Sequence, residues 1–69
     1  MDNTIKDHRG RLGLTQAQLA ERVDVSRQTI IAIERGRFDP TLRLAFALSD
    51  ALGVDIVDLF TPTLERNSS

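Results

Sequence analysis

A chain of 69 residues holds one domain, near the lower limit of what a single hydrophobic core supports. With no cysteine it has neither a disulfide framework nor thiolate metal ligands, and 41% apolar with 28% charged residues is ordinary for a folded soluble protein. The formal charge is −1 overall but unevenly spread: residues 1–37 carry seven basic against five acidic side chains, and residues 38–69 two against five.

No apolar run is long enough to span a membrane, and the polar start Met1-Asp2-Asn3-Thr4 does not have the pattern of a signal peptide, so a cytoplasmic location is expected. Residues 1–64 are expected to form the domain, and Glu65–Ser69 a frayed polar tail. No segment alternates with period two. The chain divides instead into short helical phrases separated by glycine, proline and capping residues.

Thr4, with Asp7 three residues on, predicts a cap for a first helix over about Ile5 to Leu12, stopped by Gly13 and weakened by Gly10 within it. Its inward stripe is expected to bury Ile5 and Leu12, with Arg9 between them. Thr15 followed by Gln18 is a capping box for a second helix, Gln16 to Val23, with Leu19, Ala20 and Val23 on one face. Ser26 caps a third helix through Arg35, with Ile30 and Ile33 inward and Gly36 after its end. Pro40-Thr41 starts a fourth, Leu42 to Leu52, closed by Gly53. Its apolar surface is wide enough that it is either central in the fold or shared with a partner. Asp55 with Asp58 predicts a last short helix ending before Pro62. The fold class is all-α, five short helices around one small core.

Only Asp24 and Val25 separate the second helix from the Ser26 cap. That spacing suits a sharp turn between crossed helices, the helix-turn-helix geometry. Ala20 is small where the two helices cross, and Asp24 stands where the turn needs a left-handed backbone, which aspartate tolerates.

The run LTQAQLAERVDVSRQTIIAIERGRFDPTLRLAFALSDALGV resembles the phage-repressor family of helix-turn-helix regulators, the Cro/CI or XRE type. The elements in register are Thr15-Gln16, Leu19-Ala20, Ser26 to Ile30, Ile33-Glu34, Gly36, Pro40 and Leu52-Gly53. The match covers about residues 4 to 60 and is nearest to small stand-alone dimeric members. Asp24 departs from the glycine commoner at its position, and His8 stands where the family has an apolar core residue. The resemblance implies a lambda-repressor-like fold, double-stranded DNA as partner, and a homodimer on a palindromic operator that regulates transcription as a repressor.

It also implies that the third helix enters the major groove. With Ile30 and Ile33 inward, Arg27, Gln28, Ile31 and Ala32 become the base-reading candidates. Arginine pairs with guanine, glutamine with adenine, and apolar side chains meet the thymine methyl. For Ile31, packing against the first helix is an equal alternative. Thr15, Gln16, Ser26, Thr29 and Arg37 are the phosphate candidates, joined less firmly by Arg11. Ser26 also serves as an N-cap, and Arg43 reads as a surface charge. Family members pair the positions of Arg9 and Glu34 as a partly buried ion pair. The late apolar residues Val54, Ile56, Val57, Phe60 and Leu64 are expected at the dimer interface.

An enzyme is not indicated: there is one histidine, no nucleophile constellation and no phosphate-cradling glycine loop. No cofactor, metal site or small-molecule effector is evident. The competing reading is an antitoxin-type regulator that binds a toxin through the same scaffold.

Overall fold

The computed structural model describes residues 2–61. Leu64 and the polar tail lie outside the described residues. In chain order the elements are β1 (Asp2–Asn3), α1 (Ile5–Arg11), α2 (Gln16–Arg22), α3 (Arg27–Glu34), α4 (Leu42–Leu52), α5 (Ile56–Leu59) and β2 (Phe60–Thr61).

Each helix supplies at least one fully buried side chain to a single core: Ile5, Leu19, Ile30 with Ile33, Leu48, and Leu59. Burying such a side chain stabilises by about 1.5–3 kcal/mol, and in so small a domain few side chains share the task. α4 turns Ala45, Leu48 and Leu52 inward, while Leu42 and Phe46 on its other side stay exposed.

The start signals of α2, α3 and α4 form as hydrogen bonds. Thr15 Oγ1 accepts from Gln18 N at 3.0 Å, and Gln18 Oε1 accepts from Thr15 N at 2.8 Å, which completes the capping box. Ser26 Oγ accepts from Thr29 N at 3.2 Å, and Thr41 Oγ1 from Leu44 N at 3.2 Å. Each satisfies an amide that the helix itself leaves without a partner.

The first and last helices begin differently from the expectation. Thr4 makes no side-chain cap: its backbone (φ −114°, ψ 22°) is not extended, and its Oγ1 donates to Asp58 O at 2.7 Å. Asn3 takes over at the start of α1, where its Oδ1 accepts from Ile5 N at 3.3 Å. Asp55 has the extended backbone of a cap yet makes no side-chain cap bond, and α5 opens on the backbone bond from Asp58 N to Asp55 O at 2.9 Å.

Leu12 is the clearest core residue misplaced by sequence reasoning, being 51% exposed. α1 ends at Arg11, and the next inward position after Ile5 is Arg9, whose guanidinium bonds the Leu14 carbonyl at 2.9 Å. Leu12 lies beyond this polar layer, past the end of the core.

The strands are the element that the periodicity did not announce. Asp2 pairs with Thr61 and Asn3 with Phe60 in an antiparallel register, and Thr4 N extends the contact to Leu59 O at 2.8 Å. Asn3 Nδ2 also donates to Ile33 O at 2.7 Å, tying β1 to the last turn of α3.

Asp24 adopts φ 59°, the left-handed conformation expected of it. Val25 N bonds Ala20 O at 3.0 Å and Asp24 N bonds Glu21 O at 3.3 Å, the paired closure of a Schellman motif. A side chain there is strained where glycine is not. Asp24→Gly is therefore expected to stabilise the fold by about 0.5–1 kcal/mol, after the extra freedom that glycine gives the unfolded chain is subtracted. A rise in the urea midpoint at unchanged slope checks this; an unchanged or lower midpoint contradicts it.

Candidate nucleic-acid interface

α2 and α3 pack closely across the turn, and the buried side of α3 is fixed by Ile30 (0% exposed) and Ile33 (1%). With those two side chains inward, the opposite side of α3 faces out. Arg27, Gln28 and Arg35 are exposed, while Ile31 and Ala32 are half-buried at the margin. The outward face thus offers two guanidinium groups, an amide and two small or branched apolar groups along about two turns. No carboxylate interrupts it at the helix start, since the first turn of α3 contains no acidic residue.

The carboxylate at the far end of α3 is held back. Arg9 Nε donates to Glu34 Oε2 at 2.8 Å and Arg9 Nη2 to Glu34 Oε1 at 3.2 Å, with side chains 14% and 6% exposed. Gln16 Nε2 donates to the same Oε1 at 3.1 Å. One carboxylate therefore joins α1, the first residue of α2 and the end of α3. The link to Gln16 has no signal in the sequence, because it depends on how α2 and α3 cross.

Around this network lies an open groove of about 330 Å³, lined by Lys6, Gln16, Arg27, Ile31, Glu34 and Arg35. Ile31 of α3 and Lys6 of α1 both line it. Sequence reasoning did not single out Lys6.

The other candidate residues fall as follows. Thr15 and Ser26 are exposed at the starts of α2 and α3, each with its hydroxyl engaged in capping, and Ser26 Oγ also lies 3.0 Å from Thr29 Oγ1. Arg37, Arg11 and Arg43 are exposed. Among the late apolar residues Val57 is 81% exposed, whereas Val54 and Ile56 are half-buried against the core. Phe60, expected at a partner surface, is 7% exposed and packs into the protomer's own core, where the β1–β2 pairing holds it. Among the described residues, no three His, Asp or Glu side chains gather to hold a metal ion, and no helix is long and apolar enough to cross a membrane.

The sequence model of the helix-turn-helix family matches residues 5–59, which takes in all five helices. The chain belongs to the XRE-type helix-turn-helix family of DNA-binding transcriptional regulators. Members act by binding DNA and not by catalysis. The regulator is 56% identical over 61 residues to an HTH-type transcriptional regulator of Methanothermobacter thermautotrophicus, covering 87% of this chain and 88% of that one. It is 42% identical over 52 residues to the immunity repressor protein of Bacillus phage phi105, covering 75% of this chain and 36% of the phage protein. Among solved structures, the restriction-modification controller protein C.AhdI of Aeromonas hydrophila superposes with a TM-score of 0.75 at 28% identity, covering 81% of this chain and 85% of that one. The five-helix, lambda-repressor-like fold of the regulator is thus shared with known transcription regulators.

Proposed function

We propose that this regulator represses transcription in the cytoplasm as a homodimer on a palindromic operator, with α3 of each subunit in the major groove. The observation that carries the reading is the division of α3. Ile30 and Ile33 anchor it, and Arg27, Gln28 and Arg35 are left facing out. Arg27 and Gln28 then reach base edges at the leading end of the helix, with Ile31 and Ala32 available to a thymine methyl. Thr15, Gln16, Ser26, Thr29 and Arg37 flank that face and contact phosphates. The likeness to a phage immunity repressor supports repression.

One subunit of this size covers a half-site, and two-fold symmetry in the protein is matched by a palindrome in the DNA, with half-site centres about 34–36 Å apart. The dimer surface centres on Val57, whose exposure the protomer core does not explain, with Val54 and Ile56 beside it and Leu64 following in sequence. Phe60 supports this surface from within the protomer.

Selection of bound duplexes from a random pool tests the reading. A palindrome with half-sites one turn apart is expected, and a pool that shows no enrichment overturns sequence-specific binding. Light scattering at tens of micromolar is expected to give the mass of a dimer. A monomer that does not pair even on the selected operator contradicts the symmetric assembly.

A further inference from the structure

We infer that Lys6 on α1 is a further DNA contact, holding a backbone phosphate at the groove beside α3. The inference rests on the proposal that α3 reads the major groove. Arg27, Ile31 and Arg35 recur at every fourth position and so form one stripe along α3 and its C-cap, and all three line the groove together with Lys6 of α1. A duplex engaged by that stripe brings its phosphates across the mouth of the groove.

The electrostatics favour an anion there. Three cations face the groove, Lys6, Arg27 and Arg35, against one carboxylate, Glu34. That carboxylate is 6% exposed and already paired with Arg9 at 2.8 Å, so it offsets little of the cationic field at the mouth. Asp7 follows Lys6 in sequence but lies about 100° around the helix and is not among the lining residues. Lys6 itself is exposed. Its ammonium is a compact point charge on a flexible stem, which suits a phosphate better than a base edge. The contact would widen the DNA surface from α2 and α3 to α1.

Lys6 is the only lysine in the chain, which gives the test a direct readout. The protein is acetylated with an amine-reactive reagent, with and without the selected operator, and modification of Lys6 is followed by mass spectrometry. Protection by the operator is expected. In parallel, Lys6→Gln is expected to lower the slope of log K against log salt by about 0.9 per subunit, with base preference and urea midpoint unchanged, while Lys6→Arg restores the slope. If the wild-type protein binds no selected duplex, the DNA-reading proposal itself fails. If the wild type binds but Lys6 stays equally reactive and Lys6→Gln keeps the full slope, the α1 contact is overturned and the reading of α3 stands.

Discussion

Glu34→Ala is expected to lower stability by about 2–4 kcal/mol, slightly less than the loss on breaking a fully buried pair. The substitution strands the Arg9 guanidinium, 14% exposed, without its carboxylate, and leaves Gln16 Nε2 without its acceptor. Arg9 keeps its bond to the Leu14 carbonyl and some access to water, which moderates the cost. Domains have about 0.05–0.15 kcal/mol of stability per residue, so the loss is a large part of what this chain possesses. Glu21→Ala, on the exposed side of α2, is expected to change stability by less than about 0.5 kcal/mol. Replacing both partners by apolar residues, Arg9→Met with Glu34→Leu, should cost less than either single change, because no charge is left buried alone. Urea midpoints of the five variants decide it. Equal midpoints for Glu34→Ala and Glu21→Ala would remove the pair as a structural element.

The second large effect separates base reading from attraction to the backbone. Arg27→Ala is expected to cost about 1–3 kcal/mol on the selected operator and to relax preference at one position of each half-site. Arg37→Ala is expected to weaken all duplexes alike and to reduce the salt slope by about one unit. Both side chains are exposed, so neither change should disturb the core. The comparison is made on the selected operator and on a version altered at its guanines. Should Arg27→Ala leave the ratio between the two duplexes unchanged, Arg27 holds a phosphate, and base reading passes to Gln28 and Ile31.

Much of the fold was legible because its punctuation is local. Thr15 with Gln18, Ser26 and Thr41 act within four residues of themselves, and Asp24, Gly36 and Gly53 mark left-handed positions that few other residues tolerate. The inward side of α3 followed from Ile30 and Ile33 for the same reason. What escaped depends on distant parts of the chain. Two-residue strands are too short to show an alternating pattern, and they exist because residues 2–3 meet residues 60–61. Thr4 has the composition of a cap, but a carbonyl 54 residues away claims its hydroxyl. Leu12 has the spacing of an inward residue but falls just past the end of α1 and outside the core. The tie from Gln16 to Glu34 and the place of Lys6 on the groove are likewise products of helix crossing. Periodicity within one helix carries no trace of either.

The pairing of residues 2–3 with 60–61 also bears on how the chain is made. During synthesis α1 is made long before Phe60 and Thr61, so β1 has no partner until the chain has passed residue 61. Segments normally condense as they emerge, N-terminal parts first. Here residues 2–3 must wait for residues 60–61 before β1 finds its neighbour. A product that stops before β2 is thus expected to be more sensitive to protease than the chain that carries it, because β1 is left unpaired and Phe60 is missing from the core.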